Sequence, residues 1–567
     1  MKTKAHTFCV IFLSMLFAVF VSRLADWQLV HGEEYRELAA KAGTVSVATE
    51  AVRGEILDRS GKGLVTNTSR HKIVIDKSKT DDGTILRLID IIKSCGDKWN
   101  SDLPNGGSFT LADDVSRRCV SAVSEQTQGI DGVEVQTYHV RSAVQPELAP
   151  HILGSVGAIS AEEYDALSDK DYKLTDSIGK SGIESALEEE LRGKSGRRVI
   201  SGNFDDGINA RRGNTVWLTL DSNLQKATAD ALEKNVAAAQ NAGAKDCESG
   251  AAVMLDVSDF SVLAAASFPT YDLNRYSGDG EYYLGLIENK AAPLFNRACS
   301  GSFACGSVFK PCVALAALDS GVITPKTEIY CARYYDYYPS NVVACMHYHG
   351  SENLFTALAH SCNVFFAETG RRLGIEKMSA FAAKTGLGEY TGLEIEESRG
   401  VLAGRDSESW TDGNTVQAAI GQSDNAFTPM QLATYTATLA NGGTRLKTHL
   451  VKQITDYTRN EIISKTEPEE ICDLGVKREY IDDVKNAMLM VTQDPEGTAY
   501  SEFFDFPVKV GAKTGTAENS GSDHAAFVCF APFEKPEVAA AVIIEHGANT
   551  KFAMRAAKEM LSAYFEL

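Results

Sequence analysis

A run near the start of the chain, Phe8 to Val21, is apolar apart from Ser14, with Lys2 and Lys4 before it and Arg23 after it. No amphipathic fold can cover such a stretch from its own polar residues, so it constrains everything that follows. As a helix at 1.5 Å per residue, Thr7 to Ser22 covers about 24 Å of a roughly 30 Å hydrocarbon layer, and snorkelling of Lys4 and Arg23 supplies the remainder. A cleaved signal peptide is the alternative. The residues that follow, Arg23-Leu24-Ala25-Asp26-Trp27, carry no small-x-small cleavage pattern, which favours an uncleaved anchor. The two N-terminal lysines favour an N-inside orientation, placing everything after about residue 25 outside the cytoplasm.

At 567 residues the chain is too long for one ordinary core, and two or three domains are expected. Its 56 Lys plus Arg against 76 Asp plus Glu give −20, which repels phosphate backbones and excludes nucleic acid as a partner. Twelve cysteines spread over this length are not the dense framework of a small secreted domain. Cys331 and Cys345 stand apart, because they bracket a Tyr-rich segment and are followed by His347 and His349. A disulfide, free thiols and a metal site are all open there, although Cys-x13-Cys-x-His-x-His lacks the usual close ligand pairs. No metal or cofactor is assigned.

Gly43 to Val52 is small and polar and suits a linker. From Arg53 short strands and turns follow: Gly54 to Arg59, the turn Ser60-Gly61-Lys62-Gly63, and the alternating Lys72-Ile73-Val74-Ile75-Asp76. Ser94 to Gly132, rich in Asp, Ser and Gly, has no clear pattern. Gly182 to Leu191 has helical spacing, Val216 to Leu220 reads as a strand and Asn223 to Ala239 as a helix. A composition change between Asn241 and Gly250 marks a second, larger unit, which opens with the strand Ala251 to Val257 and ends with a helix from about Met554 to Phe565.

Acyl transfer from an amide needs a nucleophile, a base for its proton, and donors for the developing oxyanion. Ser307-Val308-Phe309-Lys310-Pro311 precedes the apolar run Cys312 to Leu318, which predicts a helix with the serine in its first turn, where Pro311 is tolerated. The three-residue spacing puts Lys310 on the face of Ser307. Ser-x-x-Lys also occurs at Ser69 with Lys72, where strand spacing separates the side chains, and at Ser177 with Lys180, in a glycine-containing loop. Ser-x-Asn occurs at Ser201, Ser351, Ser361 and Ser423. Only Ser361-Cys362-Asn363 leads into apolar helical residues, while Ser423-Asp424-Asn425 reads as a loop entering the next helix. Lys-Thr-Gly occurs at Lys384, at the end of a helix, and at Lys513, at the end of an alternating strand Phe506 to Lys513. There Gly515 leaves room for another backbone alongside, so that a substrate peptide can add as a strand.

The order Ser307-x-x-Lys310, Ser361-x-Asn363, Lys513-Thr514-Gly515 resembles the signature of the penicillin-binding proteins. Flanking segments resemble that family's transpeptidase domain as well, among them Asn296-Arg297-Ala298, Ile420-Gly421-Gln422, Thr428-Pro429-Met430-Gln431 and Leu439-Ala440-Asn441-Gly442-Gly443. Upstream, Arg53-Gly54-Glu55-Ile56-Leu57-Asp58-Arg59, His151-Ile152-Leu153-Gly154 and Gly179-Lys180-Ser181-Gly182-Ile183-Glu184 are similar to a class B pedestal.

The resemblance implies an α+β multidomain chain. It has a membrane anchor helix over 1–25, a β-rich elongated pedestal of dimerisation type over 40–212, and a serine-transpeptidase, β-lactamase-like domain over 245–567 built on a mainly antiparallel sheet flanked by helices. It further implies that Ser307 is the acylated nucleophile, Lys310 its base, Ser361 the proton relay, and Asn363 a holder of Lys310 and the substrate amide. Lys513 would support Ser361. Thr514 and Thr516 would bind a terminal carboxylate beside Gly515, and the N–H groups of Ser307 and Thr516 would form the oxyanion hole. The implied partners are peptidoglycan stem peptides, β-lactams, a membrane glycan polymerase and a second copy of the chain. Cys305 and Val308 depart from the family's usual Pro and Thr around the serine. A β-lactamase, a β-lactam sensor and an inactive wall-binding scaffold are the alternatives.

Overall fold

The computed structural model describes residues 2–26, 28, 31, 44–49, 51–104, 106–127, 130–170, 172–174, 176–201, 204–404 and 410–567. They form two units, one of Met1–Arg53 with Arg192–Gly213, the other of Gly54–Leu191 with Asn214–Leu567.

In the first unit, Lys2–Ala25 is a single helix with Arg23 in its last turn, where a cation suits the dipole. Its described side chains, from Val10 to Leu24, stand exposed. Among the described residues no helix is long and apolar enough to cross a membrane. The expected linker is instead ordered in part: Thr44–Thr49 is a strand paired antiparallel with Gly196–Ser201, which pairs in turn with Phe204–Ile208. The alternation Thr-Val-Ser-Val-Ala-Thr is the period-2 signal of a strand, and its partner is supplied from far downstream. Gly43 and residue 40, where the pedestal was expected to start, lie outside the described residues.

The second unit holds a seven-stranded sheet ordered Ile462–Lys465, Val451–Thr455, Thr215–Leu218, Ile56–Leu57, Gly63–Asp76, Ser108–Ala112, with Val133–Ala143 also on Gly63–Asp76. The strand expected at Lys72–Asp76 starts at Gly63, because Val133–Ala143 pairs with it from Val65 to Ile75. The unpatterned stretch Ser94–Gly132 folds against this strand's far end. Helix Asp82–Cys95 is capped by the Asp81 carboxylate on the Thr84 N–H and closed by left-handed Gly96. It buries Ile85, Leu88, Ile89 and Ile92 with Cys119 and Val123 of helix Arg117–Gln126 against Ile73, Ile75 and Leu111. Gly182–Leu191 is broken into two short helices, Gly182–Ala186 and Glu188–Leu191.

The larger core is a five-stranded antiparallel sheet ordered Val262–Phe268, Gly250–Asp256, Val538–Ile544, His524–Ala531, Gly511–Ala517. Alternate residues point to opposite faces. Ala252, Met254, Phe527 and Val542 pack with helices Ser222–Asn241 and Lys551–Tyr564, whereas Val253, Leu255, Val528 and Ala541 pack with the cluster that holds helices Lys310–Asp319 and Pro429–Ala440. Coverage on both faces explains the unbroken apolar runs such as Val538–Ile544. Gly511–Ala517 is the outermost strand, and its free side meets the candidate site.

Candidate active site

Ser307 lies in one 3-10 turn, Gly306–Phe309, and the α-helix proper begins only at Lys310. The first turn of the expected helix is therefore tighter than an α-turn. Gly306 makes it possible: its φ is +56°, its N–H donates to the Gly421 carbonyl at 3.0 Å, and a Cβ there would stand 2.2 Å from the Thr516 carbonyl oxygen. From the opposite side, a Cβ on Gly515 would stand 2.5 Å from the Cys305 carbonyl. Gly515 thus makes room for the backbone of the serine turn. Strand Gly511–Ala517 also starts later than expected, so Lys513 and Thr514 lie inside it, while Phe506–Val510 is not strand.

Lys310 heads a helix whose residues from Lys310 to Leu318 are all buried. Its amine donates to the Ser361 carbonyl at 2.8 Å, the Ser361 hydroxyl at 3.3 Å and the Asn363 side-chain oxygen at 2.6 Å. Ser361 sits in the turn between helices Leu354–Ala359 and Asn363–Leu373, at a φ of +56° that a serine seldom adopts. The Lys513 amine donates to the same hydroxyl at 2.9 Å and to the Thr514 carbonyl at 3.0 Å. Both lysines are 0% exposed. Burial pulls the Lys310 amine down to about 8. Lys513 is pushed well below the usual lysine range by burial and then by the charge of Lys310. An amine held this way can exist neutral near physiological pH, which a solvated lysine cannot.

Ser307 is half-buried. The Thr514 hydroxyl shares a hydrogen bond with Thr498 at 2.8 Å, and Thr516 is exposed, its carbonyl accepting from Gln422 at 3.4 Å. Thr498 carried no motif and was missed. The duplicate motifs lie in different settings. Ser69 and Lys72 both fall within strand Gly63–Asp76, and Ser177 begins the short strand Ser177–Gly179, not a loop. Ser351 is in strand Gly350–Glu352 and Asn353 caps the next helix, while Ser201-Gly202-Asn203 lies partly outside the described residues. Asn425 is buried and braces Ala403 and Ala418. Lys384 ends helix Ile375–Lys384, with left-handed Gly386 beyond it.

Beside the Ser361–Asn363 turn, Cys331, Cys345, Cys362 and His349 place one donor atom each within 4.8 Å of one another. Cys331, Cys345 and Cys362 are free thiols, so Cys331 and Cys345 are not bridged. Their sulfurs are 3.6 Å apart, Cys345 and Cys362 are 3.8 Å apart, and His349 Nδ1 is 3.4 Å from Cys331. A tetrahedron with metal–sulfur bonds of about 2.3 Å has sulfur–sulfur edges of about 3.8 Å, so this donor set fits a soft divalent cation such as zinc. The backbone N–H groups of Asn363 and Val364 point at the Cys345 sulfur, at 3.1 and 3.4 Å. Hydrogen bonding from Cys362 first, then from Val364, holds the Cys345 thiol down to about 5 against its burial. The sequence placed His349 beside Cys331 and Cys345 but missed Cys362, and His347, which it grouped with them, is not among the four. The loop that brings Cys331 and His349 to the turn is closed by pairing of Ile329–Cys331 with Gly350–Glu352.

Comparison with known proteins shows the family and the fold. The penicillin-binding protein transpeptidase domain family matches residues 250–566, and the penicillin-binding protein dimerisation domain family matches residues 48–212. The chain is 27% identical to the peptidoglycan D,D-transpeptidase MrdA of Escherichia coli K12, over 94% of this chain and 89% of that protein. A solved peptidoglycan synthase complex, described as coordinating polymerization and crosslinking, contains a chain that superimposes with a TM-score of 0.77 at 28% identity, covering 100% of this chain and 98% of that one. The penicillin-binding protein PBP2 of Helicobacter pylori, solved in complex with MreC, has the same fold, with a TM-score of 0.79 at 24% identity over 92% of this chain and 99% of that one.

Proposed function

The chain belongs to the penicillin-binding proteins, as a class B member, and on that premise we propose how its site works as a serine D,D-transpeptidase that cross-links peptidoglycan. Ser307 Oγ attacks the carbonyl carbon of the penultimate D-alanine of a stem peptide, and its proton passes to the neutral Lys310 amine. The N–H groups of Ser307 and Thr516 face the developing oxyanion. Collapse breaks the C–N bond, and the proton reaches the departing D-alanine amine through the Ser361 hydroxyl, which both lysines contact. A second stem-peptide amine then attacks the Ser307 ester, forms the cross-link and releases the serine. Asn363 orients Lys310 and the substrate amide, Lys513 supports Ser361, and Thr514 and Thr516, flanking Gly515, take the terminal carboxylate. A β-lactam enters by the same attack, but its leaving nitrogen stays tethered and blocks the acceptor.

The observation that carries this reading is the buried Lys310 amine, bonded at once to Ser361 and Asn363. A cation held by Cys331, Cys345, Cys362 and His349 would supply a structural brace beneath that turn. The Phe8–Val21 run with its flanking charges supports anchoring by Lys2–Ala25 with the catalytic part outside the cytoplasm. Glycan strands would come from a separate membrane polymerase, and the 40–212 region would offer the surface for self-association, leaving 245–567 for the chemistry. Fluorescent penicillin should label the chain at Ser307. Ser307→Ala and Lys310→Ala should abolish the label, while Lys72→Ala and Ser423→Ala retain it. Label that turns over within seconds would identify a β-lactamase instead.

A further inference from the structure

The far end of strand Gly511–Ala517 is closed by groups that the acyl transfer leaves unused. His524 opens the neighbouring strand and pairs with Ala517, while Ala525 pairs with Thr516. The His524 ring stands edge-on to Phe303 at 6.0 Å, in the segment that leads into Cys305, Gly306 and Ser307. By its backbone His524 holds the strand that presents Thr516, and by its ring it meets the approach to the serine turn.

His524 Nδ1 accepts the backbone N–H of His546 at 3.0 Å, so that nitrogen carries no proton and the neutral ring is protonated on Nε2. His546 is set the other way. Its Nδ1 donates to the Ser522 carbonyl at 2.9 Å, a bond it keeps whether or not its ring is charged. The Ser522 carbonyl also accepts from Asn519 at 2.9 Å, and Asp246 takes the Ser522 N–H and hydroxyl at 2.8 and 2.7 Å. The loop between the two strands is therefore tied to His546, and His546 to His524. His546 holds a φ of +54°, whose backbone cost these bonds offset.

We propose that His524 is a positioning residue for the acyl transfer: with Nδ1 bare it fixes the end of strand Gly511–Ala517 and the approach to Ser307, and a proton on Nδ1 releases both. Two N–H groups then oppose each other across the 3.0 Å contact, and the His546 amide is left without its acceptor. Thr516, one residue from the His524 rung, shifts with the strand end. The charged groups that face the pair are Asp523 beside His524, Asp246 at 3.5 Å from His546 Nδ1, and Glu545, which Arg297 meets at 2.6 Å. Burial first, then the charge of His546 at a ring separation of 4.9 Å, holds His524 below the ordinary histidine value against the pull of Glu545 and Asp523. The bond is accordingly intact above about pH 6.5 and is lost as the pH falls through the lowered value. Lys310 is a separate step, since its charging already slows acylation from about 8 downward.

The catalytic consequence rests on the roles given above to Ser307 and Thr516, whereas the His524–His546 bond does not. The test follows fluorescent penicillin labelling of the full chain in detergent from about pH 5 to 8, beside hydrogen exchange of the His546 amide corrected for its intrinsic rate. Wild-type labelling should fall about tenfold per unit down to about pH 6.5, then more steeply, with about a further tenfold lost by pH 5. The amide should lose protection over that same lower range. His524→Asn puts a side-chain oxygen where Nδ1 stood, accepts the same N–H and does not titrate. It should label like the wild type at pH 8 and keep both a single slope and a protected amide down to pH 5. His524→Phe keeps a ring against Phe303 without an acceptor and should label about a hundredfold more slowly at pH 8, as for a group displaced by about 1 Å. His546→Asn, a residue that tolerates the left-handed backbone, should still show the steeper fall. A single slope in the wild type, a steeper fall kept by His524→Asn or lost in His546→Asn, or a folded His524→Phe chain that labels at the wild-type rate overturns the proposal. Should His524→Phe fail to fold, the His524→Asn profile decides between the same two answers. Absence of wild-type labelling at pH 8 would instead reject the acyl-transfer reading, leaving the exchange result standing.

Discussion

The amine of Lys513 reaches the hydroxyl of Ser361 at 2.9 Å from the edge strand, while Lys310 approaches the same oxygen at 3.3 Å from the helix behind it. Two buried amines on one hydroxyl cannot both hold a proton cheaply, since each lies out of water and repels the other. Lys513 relieves that repulsion by giving up its proton while Lys310 is charged, and the later loss of the Lys310 proton frees the base for Ser307.

Acylation should therefore follow the deprotonation of this pair. Because burial lowers Lys310 to about 8, the amine is protonated and inactive as a base below that value and free above it. The rate of β-lactam acylation, followed by stopped-flow fluorescence between about pH 6 and 10, should climb about tenfold per pH unit and level off near 8. A rate that falls across this range would reject Lys310 as the base.

Replacing the amine by an amide separates basicity from hydrogen bonding. Lys310→Gln can still donate to the Ser361 carbonyl and the Asn363 oxygen, but it cannot take a proton. Acylation should drop about 10²- to 10⁴-fold. The melting temperature should hold or rise, because a buried charge-bearing group with 0% exposure has been exchanged for a neutral one. Loss of folding together with loss of activity would show that the lysine is needed mainly as a structural brace.

The φ of +56° at Ser361 gives a second separable quantity. A Cβ in the left-handed region costs about 1–2 kcal/mol, which glycine avoids. Ser361→Gly should be more stable than Ser361→Ala by about 1 kcal/mol in chemical denaturation, yet both should lose acyl transfer alike, since both lack the hydroxyl. Recovery of activity in the glycine variant would mean that the turn's backbone, not its oxygen, is what the reaction uses.

Local spacing made much of this site readable before any coordinates. Ser307 and Lys310 are three residues apart, Ser361 and Asn363 two, and a helix or strand with that register is enough to suggest which side chains can act together. What spacing could not convey is the meeting of distant segments. The contact of Gly306 with Thr516, and of Gly515 with Cys305, depends on an edge strand placed by its pairing with His524–Ala531. Cys331 and His349 reach Cys362 only because a loop closes on itself, and their spacing matches no ordinary metal motif. The region from Ser94 to Gly132 was unreadable for a different reason: its helix and strand are short and polar outside, and the residues that make them a core, Ile73 and Ile75, belong to a strand that precedes them.

The paired glycines permit a test of that long-range contact. A methyl on Gly306 would meet the Thr516 carbonyl at 2.2 Å, and one on Gly515 the Cys305 carbonyl at 2.5 Å, so Gly306→Ala and Gly515→Ala should each push the serine turn away from the strand and spread the two oxyanion donors. Each should slow acylation by about 10²- to 10³-fold, the usual loss when one such donor is misplaced. Because both changes break one contact, the double variant should be little worse than either alone. Gly96→Ala is the matched control: its φ is +83° and nothing lies within 4 Å of the added carbon, so it should cost about 1–2 kcal/mol of backbone strain and leave acylation unchanged. If the two site variants act additively, the turn and the strand contribute separately, and the oxyanion hole is not built from their contact.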